Sequence, residues 1–305
     1  LNVRKENSIK KIVFFTEPEW AFGIIHYELI KYLFQYRINA TVLNWFTSYT
    51  TAEIQELSRS IDYFVSTPHG IGILIDQHGI QPEKCVVVAH AALDLQHFSW
   101  FTADNQARVH NYGVVSDWLA KQSRALGISR PPAVALIGIN YHAFYTKPGL
   151  ELRTVGYAGA INPDNIHRHI KRPWLVEQAT AQAGLEFRAA HAYHHSWVTM
   201  PGFYQAVDAV VVASTEEGAG LPALEASAAG RLVISTPVGI WLAKAGTSGH
   251  TVPIEESRFV SETVSLLNFY RDDPTAYRLK CESTQAHAEC YDWSRVIGTW
   301  VELLE

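Results

Sequence analysis

Glu217 and Glu225 stand eight residues apart in Ser214-Thr-Glu-Glu-Gly-Ala-Gly-Leu-Pro-Ala-Leu-Glu-Ala-Ser-Ala-Ala-Gly230, just after the apolar run Ala209-Val-Val-Val212. This pattern predicts a strand, a Gly-rich turn and a helix. Pro222 suits the first helical position because it needs no amide there, and Gly230 suits the exit because it tolerates positive φ. Glu225 then falls in the first turn. The turn would present backbone amides around Gly218, Ala219 and Gly220, with Leu221 beside them, at the positive end of a helix dipole, which is a seat for a pyrophosphate. Carboxylates are acceptors, so the two that flank the seat suit sugar hydroxyls rather than phosphate oxygens. Taken alone, the pair also fits a capped, solvated helix start.

The elements that must position these groups read as two α/β halves. A chain of 305 residues is long enough for two such domains, each with its own core. Ile12-Val-Phe-Phe15, Ala40-Thr-Val-Leu43, Tyr63-Phe-Val65, Val86-Val-Val-Ala89, Gly113-Val-Val115 and Ala133-Val-Ala-Leu-Ile137 fit buried parallel strands. Helical spacing lies between them, as at Ile24, Tyr27, Leu29, Ile30 and Leu33. Beyond the Pro-containing connection Tyr145-Thr-Lys-Pro-Gly149, a second strand series covers 153–157, 185–188, 209–213, 232–235 and 250–253. Its helices are expected at 173–184, 202–207, 222–229 and 257–270. Alternating strands and helices predict parallel sheets covered on both faces, with ligands beyond the carboxyl ends of the strands.

Composition narrows the function classes. Hydrophobic residues at 48% and charged residues at 18% exclude a disordered chain. A formal charge of -5 gives no general attraction to nucleic acid or anionic lipid. Cys85, Cys281 and Cys290 are too few and too scattered for a disulfide framework or a zinc site, so a reducing, cytoplasmic setting is expected. No stretch reaches the ~18 uninterrupted apolar residues of a membrane span, and Leu1-Asn-Val-Arg-Lys-Glu-Asn7 lacks the apolar run of a secretory signal. A soluble protein with at most peripheral membrane contact is expected. The first residue is not Met, which fits a trimmed or processed chain.

The two carboxylates around Gly-x-Gly-Leu-Pro resemble the Glu-x7-Glu signature of the retaining GT-B glycosyltransferases. Ser116-Asp-Trp-Leu119 followed by Gly138-Ile-Asn-Tyr-His-Ala-Phe144 is similar to that family's interdomain passage, Thr236-Pro-Val-Gly239 to its loop after the next strand, and Tyr291-Asp-Trp-Ser294 to the start of its last helix. The resemblance implies two Rossmann-like, doubly wound domains facing across a cleft. They would be an acceptor-side domain over 1–147, a nucleotide-sugar donor domain over 148–288, and a helix over 289–305 crossing back to the first domain. It implies transfer of a sugar from a nucleotide diphosphate sugar to a hydroxyl of a glycan or glycolipid, with retention, without metal or other cofactor. By resemblance Glu217 binds donor-sugar hydroxyls, Glu225 binds the ribose, and Thr236 with Gly239 lines the nucleotide side.

The family's phosphate-binding Arg is expected where this chain has Ala160. Arg168, Lys171 and Arg172 follow instead, and Lys171 or Arg172 either reaches the diphosphate or belongs to a solvated loop. His90 ends a strand, where the resemblance implies approach to the donor sugar; a satisfied core histidine is the other reading. In Glu19-Trp-Ala-Phe-Gly-Ile-Ile-His26, Gly23 supplies flexibility, Trp20 and Phe22 could stack on a sugar ring, and His26 or Glu19 could hold acceptor hydroxyls. Alternatively these aromatics cover the domain edge. His191, His194 and His195 are spaced poorly for zinc and read as a loop near the nucleotide base. A nucleotide-sugar epimerase and a non-catalytic nucleotide-sugar binding protein are the competing classes.

Overall fold

The computed structural model describes residues 9–18, 20–96, 102–128, 130–159, 161, 165, 167–190, 197–240 and 249–305. The chain divides into two compact units, one formed by Leu1–Gly138 with Trp293–Glu305, the other by Ile139–Asp292. The division thus falls after Gly138, not after 147, and the second unit runs on to Asp292 rather than 288.

The first unit holds a six-stranded sheet. Its strands are β1 (Lys10–Thr16), β2 (Ile38–Asn44), β3 (Tyr63–Ser66), β4 (Cys85–Ala89), β5 (Asn111–Val114) and β6 (Ala133–Val134), in the spatial order β2-β1-β3-β4-β5-β6 and all parallel. Burial explains the composition of each strand. β4, Cys-Val-Val-Val-Ala, is buried at every residue and wholly apolar, whereas β2, at the sheet edge, alternates buried and exposed residues at its start. The last strand is shorter than its apolar run suggests, because the final helix takes over its partners. Leu136 N–H donates to Thr299 Oγ1 at 3.0 Å and Trp300 Nε1–H donates to the Leu136 carbonyl at 2.9 Å. That helix, Trp293–Leu304, buries Trp293, Val296, Ile297, Trp300, Leu303 and Leu304, the stripe its 3.6-residue spacing predicts. Gly138 leaves room for it, since a Cβ there would lie 2.6 Å from the Trp293 ring.

The second unit holds five parallel strands. They are β7 (Thr154–Tyr157), β8 (Glu186–Ala189), β9 (Ala209–Val212), β10 (Leu232–Ser235) and β11 (His250–Thr251), in the order β11-β10-β9-β7-β8. Central strands β7, β9 and β10 are wholly buried, while edge strand β8 alternates exposed and half-buried residues. The order reverses between β7 and β9, since β8 lies on one side of β7 and β9 to β11 lie on the other. Such a switch point leaves a crevice beyond the carboxyl ends of the two strands, because their following loops diverge to opposite faces.

The helix Leu221–Ala228 begins one residue earlier than expected, which places Pro222 at its second position and Glu225 beyond the first turn. Gly230 takes φ 69° at its exit, as the sequence predicts. The helix Pro274–Ala288 has no counterpart in the sequence reading.

Candidate functional site

Beyond β9 the chain enters Ser214 to Gly220, and beyond β7 it leads to the short helix Arg168–Lys171. A backbone bond from Thr215 N–H to the Ile170 carbonyl, 2.9 Å, ties these two segments together. The side chains follow. Glu217 Oε1 accepts from Lys171 Nζ at 2.5 Å and from Ser214 Oγ at 2.7 Å. The Lys171 and Glu217 side chains retain 28% and 11% of their surface, so this ion pair is only partly buried. It places a cation and a carboxylate side by side at the switch point of the sheet.

Gly220 adopts φ 78°, a conformation that a side chain would strain, and thereby turns the chain into the helix Leu221–Ala228. Among the first amides of this helix, Pro222 has none and Ala223 donates to the Gly220 carbonyl at 3.1 Å, which leaves those of Gly220 and Leu221 at this end. The loop after β10 supports the turn from beneath. Ile240 N–H donates to the Ala219 carbonyl at 3.0 Å, and Gly239, with φ 59°, passes so close that a Cβ would lie 2.6 Å from that oxygen. Gly218 and Leu221 are half-buried, Ala219 and Gly220 buried.

Glu225 keeps some exposed surface, but its carboxyl is enclosed and accepts a hydrogen bond from the Tyr204 hydroxyl at 2.8 Å. Burial pushes its pKa up to about 7, and the Tyr204 bond opposes that rise.

Two expected ligand-facing residues are placed otherwise. Arg172, buried and in a left-handed conformation with φ 47°, donates from Nε to the Ala213 carbonyl and from Nη1 to the Ile254 carbonyl, each at 2.6 Å. Its guanidinium also lies 5.7 Å from the Phe259 ring centroid. These contacts make it a brace between loops, which does not fit the expected reach to a diphosphate. Thr236 is fully buried, and its hydroxyl donates to the Ser214 carbonyl at 2.5 Å. It fixes the loop that carries Glu217 instead of lining a ligand surface.

In the first unit, His90 follows β4 and His26 lies in the helix Trp20–Leu33. Their rings lie 6.2 Å apart, and Phe22 completes a triangle with them at 5.0 Å from His90 and 6.1 Å from His26. His26 Nδ1 bonds the Phe22 carbonyl at 2.8 Å, so this nitrogen carries the proton. Burial lowers the pKa of His26 to about 4 and, with the nearby His26, that of His90 to about 3. Both imidazoles are therefore neutral at pH 7. Asp94 caps the turn after His90 by accepting from the His90 and Ala91 amides at 2.7 and 3.0 Å, and burial raises its pKa to about 6. Gly23 permits the chain to fold back on itself, since a Cβ would lie 2.3 Å from the Pro18 carbonyl oxygen.

Glu19, Ala160 and the cluster His191, His194 and His195 lie outside the described residues, as does the side chain of Trp20. Among the described residues, no group of three His, Cys, Asp or Glu side chains is placed to hold a metal ion. No helix among them is long and apolar enough to cross a membrane. Ser214 and Tyr204 escaped the sequence reading. Ser214 lies three residues before Glu217, within reach of a local turn, but nothing near Tyr204 in sequence points to Glu225.

Residues 153–268 match the family model described as Glycosyl transferases group 1. That segment contains Lys171, Tyr204, Glu217, Glu225 and Gly239. The chain is also 31% identical over 112 residues to a D-inositol 3-phosphate glycosyltransferase of Arthrobacter sp. (strain FB24), a match covering 36% of this chain and 26% of that protein. The aligned part thus spans about a quarter of the curated relative. Among solved structures, HepE of Anabaena in complex with UDP and glucose superposes with a TM-score of 0.68 at 15% identity, covering 97% of this chain and 99% of that one. The catalytic domain of starch synthase IV from Arabidopsis thaliana, bound to ADP and acarbose, gives 0.70 at 12% identity, covering 97% and 99%. The fold is that of the GT-B glycosyltransferases.

Proposed function

We propose that this chain is a retaining glycosyltransferase that moves a sugar from a nucleotide diphosphate sugar to a hydroxyl of a glycan or glycolipid, in surface polysaccharide or glycolipid synthesis. The observation that carries the proposal is the Glu217 carboxylate held by Lys171 and Ser214 at the switch point of the second sheet, eight residues before Glu225. Glu217 holds hydroxyls of the donor sugar, and Glu225 those of the ribose. Lys171, already at the site, meets the charge that grows on the leaving diphosphate as the glycosidic bond opens. Amides at the Gly218 to Leu221 turn bind the phosphates from the helix end. The protein's own groups supply the charge, so a chelator should leave the rate unchanged. The first unit is the acceptor side, where neutral His26 and His90 can each accept one hydrogen bond and donate another. UDP in HepE and ADP in starch synthase IV support a nucleoside diphosphate as the bound part.

The test has two stages. Sugars activated with UDP, GDP, ADP or dTDP are screened for a rise in Tm, because a ligand that binds only the folded state stabilises it. The stabilising donor is then incubated with an acceptor panel and the anomeric configuration of the product is read by NMR. Inversion at the anomeric carbon refutes the retaining assignment. Release of a free epimer without acceptor indicates an epimerase, and donor binding without turnover indicates a binding protein.

A further inference from the structure

Tyr204, in the helix Met200–Gln205, is wholly buried, and its hydroxyl donates to Glu225 Oε2 at 2.8 Å. The ring cannot swing, because Phe144 packs edge-on at 5.8 Å and Phe203 at 5.3 Å between centroids. A glutamate reaches the end of its side chain through three rotatable bonds, so a carboxylate without a fixed contact samples several orientations. Here one oxygen is tied to a group that does not move. Oε1 and the remaining lone pairs of Oε2 are left for donors, which matches two adjacent hydroxyls better than one. The same bond opposes the effect of burial and so favours the ionised, acceptor form of Glu225.

We propose that Tyr204 is a positioning residue that fixes the Glu225 carboxylate to receive the vicinal diol of a nucleotide ribose. This rests on the reading of Glu225 as the ribose-binding carboxylate. A purely structural Tyr204 would affect all ligands alike; a positioning Tyr204 affects those that carry the diol.

The affinities of UDP, GDP and ADP are measured by calorimetry, and the tightest is compared with its 2′,3′-dideoxy counterpart in the wild type, Tyr204→Phe and Glu225→Gln. Tyr204→Phe keeps the packed ring, and its Tm checks the fold. The wild type should prefer the ribonucleotide by roughly tenfold or more, since the dideoxy ligand offers no hydroxyl to Glu225 Oε1. Tyr204→Phe should lower that preference about fivefold by weakening the ribonucleotide alone, and Glu225→Gln should nearly abolish it. Equal weakening of both ligands by Tyr204→Phe, or an unchanged preference while Glu225→Gln removes it, overturns the positioning role and leaves the ribose assignment standing. A preference that survives Glu225→Gln, or no binding of any of the three nucleotides to the wild type, overturns the ribose assignment and this inference with it.

Discussion

In the second unit the candidate groups are charged and paired: Lys171 and Ser214 converge on Glu217, and Tyr204 holds Glu225. In the first unit they are imidazoles packed among rings, and burial keeps both His26 and His90 neutral. The matched family segment, 153–268, falls wholly within the second unit. Under the proposed function, a diphosphate and its sugars ask for a fixed set of charges and acceptors, which the second unit would supply. Acceptor hydroxyls are neutral and varied, and a neutral face that binds them has fewer constraints on its sequence.

The largest test of this contrast is Glu217→Ala. If the second unit carries the charge-bearing part of the reaction, turnover should fall by roughly two to three orders of magnitude, with Tm little changed. Wild-type kcat in that variant removes the assigned role. His90→Phe, which preserves a ring among Phe22, His26 and Trp300, should cost less, roughly tenfold in kcat with donor KM unchanged. A larger loss from His90→Phe than from Glu217→Ala would invert the comparison.

The contrast was partly legible in the sequence. The Glu217 to Gly230 stretch carried its own turn chemistry, so the site could be placed from local rules, and the last helix could be placed from its apolar stripe. Arg172 could not be read, because its bonds go to carbonyls 41 and 82 residues away. A cation near a phosphate seat looks the same in sequence whether it faces the ligand or braces the loop beneath it. Tyr204 is hidden for the same reason, and the pairing of His26 with His90 joins a helix and a strand end that are distant in the chain. The helix Pro274–Ala288 did leave a signal, Asp273 before Pro274, with the Asp273 side chain accepting from the Ala276 amide. Its buried face includes Cys281, Thr284 and Gln285 beside Tyr277, so the apolar spacing was weak.

The surroundings of Glu225 and of the His26–His90 pair should also respond to pH in opposite directions, with His250, lowered to about 4 chiefly by burial, working against Glu225 elsewhere in the second unit. Glu225 has a folded pKa of about 7, above its ordinary 4.5, so the folded state binds its proton more tightly. Its stabilising contribution is full below about pH 4.5 and is lost as pH rises through 7, worth about 3 kcal/mol at most. His26 and His90 are depressed from 6.5, so their contribution is full above that pH and is lost as pH falls toward 4 and 3. Asp94, raised to about 6, works against the histidines within the first unit. Hydrogen exchange on the whole chain, corrected for intrinsic rates, should show the helix Leu221–Ala228 better protected at pH 5 than at pH 7.5. The helix Trp20–Leu33 should show the reverse, more strongly in Asp94→Asn. Glu225→Gln should flatten the first response only; parallel changes in both helices would sink the comparison.

The smallest effects separate the units by ligand. Gly239 and Gly23 each pass under a carbonyl oxygen, where a Cβ would lie 2.6 Å from Ala219 and 2.3 Å from Pro18 respectively. Alanine at either position forces backbone to move, at a cost of about 1 to 3 kcal/mol. Gly239 also holds φ 59°, so its substitution carries added strain. Displacing Ala219 disturbs the turn that leads into the Leu221–Ala228 helix, so Gly239→Ala should raise donor KM several-fold and leave acceptor KM alone. Moving Pro18 disturbs the approach to the helix that carries His26, so Gly23→Ala should raise acceptor KM instead. Should either variant raise both constants equally, the assignment of donor and acceptor to separate units would lose its basis, because a local displacement would then be felt at both ligands.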